Sequence, residues 1–375
     1  MNTIHMVDLK GQYEKIQSEI DNAVLNTIRS TAFIGGPEVK SFQEELEVYL
    51  DVKHVIPCAN GTDALQIAMM ALDLQPGDEV ITASFTYVAT AEVIALLQLT
   101  PVLVDVNPNT FNIDLDAIEK AITPKTKAIV PVHLFGQCAD MEPILALAKK
   151  HSLYVIEDTA QAIGAKYTFS DGRVASAGCM GDIGATSFFP SKNLGCYGDG
   201  GALFTNNDEL AKKMRMIANH GQVVRYYHDI IGVNSRLDAI QASILRIKLR
   251  HLDNYSESRN KAAVYYDQAF ADIEQLTTPK RTSNSTHVFH QYTLIANGFD
   301  RTELVEFLAG RGIPAMIYYP VPLHMQKAYS NNNKEGDFPI TEDLCKNVFS
   351  LPMHTELNDE QLDFITSSVK EFISK

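Results

Sequence analysis

The sequence predicts an α/β protein whose parallel strands are joined by crossovers, followed by a second, smaller domain. Three observations predict it. From residue 55 to about 205, short apolar runs alternate with helical segments, which is the pattern of parallel strands linked by helices. A long helical segment then begins at Leu237, runs to about Tyr266 and carries the chain out of that layer. The length of 375 residues suits about two domains at roughly 150 residues each. We place the large domain at 12–255 and the small one at 256–375, with residues 1–11 packed on the latter.

The elements follow in order. Tyr13, Ile16, Ile20, Val24 and Ile28 recur at helical spacing, and a second helix beginning near Pro37 buries Val39, Phe42 and Leu46. VIPC, EVIT, PVLVDV, KAIVPV, LYVIED, the run Ile183 to Phe189 and ALFT read as strands. Between them, Asp63 to Leu72, Val88 to Leu99 and Met141 to Lys150 read as helices. The second domain is expected to hold a strand at His287 to Ala296, a helix at Arg301 to Ala309, a strand at Ala315 to Tyr319 and a closing helix at Asp359 to Ile373. SNNNKEGD from Ser330 reads as a polar loop. No internal repeat interrupts this order.

Composition excludes several classes of function. With 45% hydrophobic and 21% charged residues, the chain is an ordinary globular protein rather than a disordered or membrane one. No apolar run nears the ~20 residues that span a bilayer, and the first residues lack the apolar core of a signal peptide, so a cytoplasmic location is expected. Five scattered cysteines with no C-x-x-C pair argue against a disulfide framework or a thiolate zinc site. A formal net charge of −14 would repel nucleic acid and anionic membranes.

There is no G-x-G-x-x-G, no G-x-x-x-x-G-K-[ST] and no H-E-x-x-H, so the dinucleotide, P-loop and zincin readings lack their signatures. His287 and His290 form H-x-x-H on an expected strand, where they would point to opposite faces without a third ligand. No metal is expected. Asn60, Gly61 and Thr62 turn the chain from VIPC into a helix. Such a helix start offers N–H groups to a phosphate and equally suits a simple cap. Asp158 ends LYVIED, and Gln161 follows by one turn. Ligands bind at the carboxyl ends of parallel strands, yet Asp158 also suits a helix cap. In TSFFPSKNLGCYGDGG, Thr186 to Gly201, Lys192 stands between a strand and a glycine-rich turn, where a surface lysine is the ordinary alternative. Together, lysine, acid and phosphate turn suit pyridoxal phosphate: Schiff base, proton on the pyridine nitrogen, phosphate grip.

NGTDAL, SFTYVAT, EDTAQAIGA, TSFFPSKNLGCYGDGG and GVNSRLDAIQA occur here in one order, and that order resembles the DegT/DnrJ/EryC1/StrS sugar aminotransferases over essentially the whole chain. The likeness is greatest to bacterial enzymes that aminate UDP-2-acetamido-3-keto-glucuronic acid for surface polysaccharide. It implies the aspartate aminotransferase type of fold (fold type I), with a large mixed, mostly parallel sheet domain and a smaller α/β C-terminal domain. It further implies pyridoxal 5'-phosphate as cofactor, L-glutamate as amino donor, a nucleotide-linked keto sugar as acceptor and a homodimer with shared sites. By position, the resemblance makes Lys192 the Schiff-base lysine, Asp158 the partner of the pyridine nitrogen and Gln161 the neighbour of the ring hydroxyl. Gly61, Thr62 and Ser187 become phosphate ligands, joined by Asn234 of the second subunit, and Phe85 stacks on the pyridine face. Arg236 reaches across the same interface to an anionic part of the substrate, or else forms a salt bridge at a helix start. Tyr318, Tyr319 and His324 border the sugar or nucleotide, or pack as a cluster. The PSKNLG string resembles enzymes acting at sugar C3. A dTDP-3-keto-6-deoxyhexose or a 4-keto sugar is the alternative acceptor, and a deoxygenating dehydratase or a non-catalytic nucleotide-sugar-binding regulator are the alternative classes.

Overall fold

The computed structural model describes residues 3–330 and 333–375. Two helices open the chain, Leu9–Ser30 and Gly36–Leu50. The strands are β1 (His54–Cys58), β2 (Glu79–Ala83), β3 (Thr100–Val104), β4 (Thr126–Val130), β5 (Tyr154–Asp158), β6 (Lys166–Thr168), β7 (Val174–Ser176), β8 (Ile183–Ser187) and β9 (Gly201–Thr205). Seven of them form one sheet in the order β1-β9-β8-β5-β4-β2-β3. Only β9 runs against the others, pairing antiparallel with both β1 and β8. Successive residues feed two different cores: Ile81 and Val155 join one apolar cluster, Val80 and Ile156 the other. Burial on both faces explains why these strands read as continuous apolar runs.

A second sheet of β10 (Leu276–Thr277), β11 (Tyr292–Ala296) and β12 (Val348–Leu351) is antiparallel throughout. Helices Leu252–Phe270, Arg301–Ala309 and Asp359–Ile373 close over it, and Ile4 from the chain's beginning is buried in the same core. The two layers are tied together by Asp105, which accepts hydrogen bonds from the Ile340 and Thr341 N–H groups at 3.0 and 2.8 Å. No helix among the described residues is long and apolar enough to cross a membrane.

The structure departs from expectation at several points. The long segment after Leu237 is two helices, Ala239–Leu249 and Leu252–Phe270, broken at Arg250 and His251. Residues 315–319 are not a strand, and only Met316 bridges to Ser350. The strand expected from His287 starts at Tyr292, because Phe289 adopts a left-handed φ of 45° that extended pairing does not allow. His287 and His290 therefore precede the strand instead of lying on its two faces. Helices Leu115–Ala121, Asp208–Ala218 and Pro339–Asn347, and the β6–β7 hairpin, were not anticipated. Asn331 and Asn332 of the polar run lie outside the described residues.

Candidate active site

The carboxyl ends of β1, β5 and β8 meet at one edge of the large sheet, where Cys58 and Ser187 both pair with Gly201 and Asp158 pairs with Ala185. A cavity of 860 Å³ opens there. Its walls bring together Gly61, Thr62, Asp158, Gln161, Ser187, Lys192, Tyr318 and Tyr319.

One corner is the start of helix Gly61–Ala71. Asn60 caps it, its Oδ1 accepting from the Asp63 N–H at 2.8 Å. The cap leaves the Gly61 and Thr62 N–H groups without a protein acceptor among the described residues. A Cβ on Gly61 would stand 2.7 Å from the Ser187 Cβ, so only glycine lets that serine sit beside the helix start. Free N–H groups, a positive dipole end and two hydroxyls make a cradle that fits a phosphate.

The acid is Asp158, 7% exposed. Its Oδ2 accepts from Thr90 Oγ1 at 2.8 Å and its Oδ1 from the Ala160 N–H at 3.1 Å. Glu157, one residue earlier, faces the other way and is fully buried. It accepts four hydrogen bonds, from His133 Nε2 (2.9 Å) and from the N–H groups of Gly178 (2.9 Å), Met180 (2.6 Å) and Gly181 (2.6 Å). His133 Nδ1 accepts from the Ala139 N–H, so the imidazole carries its proton on Nε2.

Gln161 has a defined amide orientation. Its Oε1 accepts from the Phe135 N–H at 2.8 Å, so its Nε2 donates to the Tyr319 hydroxyl at 3.0 Å. Lys192 follows β8 on a turn closed by its own N–H donating to the Phe189 carbonyl at 2.8 Å. A Cβ on Gly195 would come 2.3 Å from the Pro190 oxygen, which is why the return of this turn requires glycine. Burial pushes the Lys192 amine down to about 8 from its ordinary 10.5, against the opposing pull of Asp158.

Two expected site residues, Phe85 and His324, are placed elsewhere. Phe85 is not on the cavity wall: it is 1% exposed and packs against Phe111, Phe135 and Tyr319. Tyr87, two residues on and 59% exposed, lines the cavity in its place. His324 is fully buried, with Nδ1 bonded to Ser84 Oγ at 2.8 Å and Nε2 to Glu342 Oε1 at 3.1 Å, so it braces the fold and does not border the cavity. Asn234 and Arg236 are exposed and outside the cavity of this chain. Within this chain, among the described residues, Arg236 forms no ion pair. Sequence reasoning missed Thr86, Thr90, His290 and Gln291; of these, Thr86, His290 and Gln291 line the cavity. His290 is 5% exposed and its Nδ1 has no partner, while burial and the Lys192 charge hold it well below the usual histidine range. No group of three His, Cys, Asp or Glu among the described residues could hold a metal ion.

Known proteins share this architecture. A pleiotropic regulatory protein of Geobacillus stearothermophilus is 48% identical over 377 residues, covering 98% of both chains. The UDP-2-acetamido-2-deoxy-3-oxo-D-glucuronate aminotransferase of Pseudomonas aeruginosa is 44% identical over 367 residues, covering 98% of this chain and 99% of its own. The crystal structure of DesV from S. venezuelae superposes with a TM-score of 0.95 at 37% identity, each chain covered completely. Residues 14–370 match one family description, and the chain belongs to the DegT/DnrJ/EryC1/StrS aminotransferase family.

Proposed function

We propose that this enzyme moves the amino group of L-glutamate to C3 of a nucleotide-linked 3-keto sugar, with UDP-2-acetamido-3-keto-glucuronic acid as the leading candidate and surface polysaccharide as the destination. The observation that carries the proposal is a desolvated lysine amine coupled to a buried aspartate, beside a helix start with free N–H groups. Family membership makes the protein a pyridoxal phosphate aminotransferase. The 44% identity to an enzyme named for a UDP-3-oxo-glucuronate supports the sugar assignment.

When bound, pyridoxal phosphate supplies an electron sink that eases removal of a proton next to nitrogen. The Gly61 and Thr62 N–H groups and the Thr62 and Ser187 hydroxyls would hold its phosphate. Asp158 would keep a proton on the ring nitrogen, and the second Nε2 hydrogen of Gln161 would reach the ring oxygen. Tyr87, rather than Phe85, would cover the ring face with dispersion contacts. Lys192, at about 8, is basic enough to take the glutamate α-proton and acidic enough to return one. Tyr318 and Tyr319 would border the sugar. Asn234 and Arg236, exposed on this chain, would complete the site of a second copy in a homodimer, Arg236 meeting an anionic group of the substrate.

Borohydride reduction of the loaded enzyme followed by peptide mapping tests the assignment. The pyridoxyl label should fall on Lys192, and a label on any other lysine overturns it. Offering the pyridoxamine form a panel of UDP- and dTDP-linked 3-keto and 4-keto sugars then identifies the acceptor, and amination of 4-keto sugars alone would replace the C3 assignment. The 48% identity to a protein named as a regulator favours a second reading, a sugar-binding regulator. Release of 2-oxoglutarate from glutamate separates the two, because a regulator would release none.

A further inference from the structure

Thr90 is the second residue of helix Ala89–Leu96 and is 1% exposed. A threonine in a helix ordinarily bonds back to a carbonyl one turn earlier. This one reaches across to another element and donates to Asp158 Oδ2 at 2.8 Å. An ionised carboxylate only accepts, so the direction of the bond is settled. It is the single side-chain donor that Asp158 receives among the described residues, the other contact being the Ala160 N–H on Oδ1.

As a packing residue Thr90 would be a poor choice. Its neighbours on the helix, Ala89, Val93 and Ile94, are buried and apolar, and valine fills the same volume without a hydroxyl to satisfy. Nor does a hydroxyl find a partner by default here: the buried Thr86 Oγ1, four residues earlier, has none. The two contacts on Asp158 hold its carboxylate from opposite sides, one from the helix and one from its own turn. Branching at Cβ leaves a helical threonine two χ1 rotamers, and the one adopted here aims the hydroxyl at Asp158. Freed from it, the carboxylate could turn to the one cation on the cavity wall, Lys192.

We propose that Thr90 is a positioning residue, whose hydroxyl keeps the Asp158 carboxylate turned to the cofactor's ring nitrogen and away from the Lys192 amine. This rests on the assignment of Asp158 to that nitrogen. Without Thr90 the acid and the base would pair with each other, and both would be withdrawn from the reaction.

The test compares Thr90→Val and Thr90→Ser, each alone and combined with Asp158→Asn, in enzyme loaded with pyridoxal phosphate enriched in ¹⁵N at the ring. Thr90→Val should lower kcat about tenfold, leave KM for glutamate within about twofold of wild type, and move the ring ¹⁵N shift towards that of a neutral pyridine. Thr90→Ser should restore both. In the Asp158→Asn background Thr90→Val should add nothing, because coupled residues do not act additively. A wild-type ¹⁵N shift and kcat in Thr90→Val would overturn the proposal. So would a loss that serine does not rescue, or an equal loss in the Asp158→Asn background, either of which marks a merely structural residue. If Thr90→Val does not fold, Thr90→Ala takes its place with the same expectations. The underlying assignment fails separately: a wild-type ring nitrogen that carries no proton overturns it, and the Thr90 proposal with it.

Discussion

Two lysines of this protein, Lys192 half-buried and Lys248 fully buried, invite comparison. Lys192 and Lys248 are both pushed to about 8 by burial, and by that measure they are twins. Lys192 lies on the wall of the large cavity and is coupled to Asp158. Lys248 is 1% exposed on helix Ala239–Leu249, with its amine 5.2 Å from the centre of the Tyr197 ring and no carboxylate partner among the described residues. A depressed lysine therefore does not by itself mark a reactive one. What separates them is the company each keeps: one amine has room for a substrate and an acid to balance it, the other has an aromatic face.

Substitution of each lysine breaks the comparison most sharply. Lys192→Ala should lower turnover by about 10³-fold or more, the scale of a lost general base combined with a lost nucleophile, while the cofactor still binds through its phosphate. Single-turnover kinetics with glutamate measure this, and activity within tenfold of wild type would contradict the assignment. Asp158→Asn should slow the same half reaction by about 10²-fold. It should also lower the Lys192 pKa further, since Asp158 is the group that holds it up, moving to lower pH the lysine limb of the kcat/KM profile for keto-sugar amination by the pyridoxamine form, in which that amine is free. An unmoved limb would mean that the two groups do not interact.

Arg236→Ala should raise KM for the nucleotide sugar about tenfold, the scale of one charge-assisted contact, with cofactor affinity unchanged. Unaltered KM values for both substrates would remove Arg236 from the site. Lys248→Met, which keeps the stem and removes the charge, should leave kcat and KM as they are. Its effect is on stability. The folded pKa of about 8 lies below the ordinary 10.5, so the unfolded chain binds the extra proton, and the penalty is fully present below pH 8 and fades between pH 8 and 10.5. Wild type should gain stability over that window, and Lys248→Met should gain less there, keeping the share of the equally depressed Lys192, and be more stable at pH 7 by on the order of 3 kcal/mol. Denaturant melts at pH 7, 8, 9 and 10 read this directly, and parallel curves for the two proteins would show that Lys248 keeps an ordinary pKa.

The parts of the site that could be read from sequence are those fixed by local rules. Asp158 ends a run of apolar residues, Lys192 sits between a strand and glycines, and Gly61 begins a helix. Each has a short-range reason to stand at a strand's carboxyl end. Phe85 and Tyr87 show where such rules stop. Both are aromatic and two residues apart, and which one meets the cavity is decided by Phe111, Phe135 and Tyr319, all far away in sequence. His324 is similar, since only the fold brings Ser84 and Glu342 to its two nitrogens. Thr90 looks like a core threonine until Asp158 arrives from 68 residues along the chain. In the small domain the expected strand at 315–319 has suitable residues but pairs only at Met316, because strand formation depends on a partner in register as well as on composition.

Glu157 and Asp158 show how one dipeptide serves two purposes. A carboxylate has about four lone-pair sites. In Glu157 four donors occupy them, leaving this acid no valence for a newcomer; it is a rivet that pins the Gly178 to Gly181 loop to the sheet. Asp158 has two donors and keeps two lone pairs in reserve. Charge and adjacency are the same for both, so the division of labour is set by donor supply, and the pleat of the strand keeps the two supplies on opposite faces. A slip of one residue in the register of β5 would exchange them, turning the saturated acid to the cavity and leaving the unsaturated one to hold the loop.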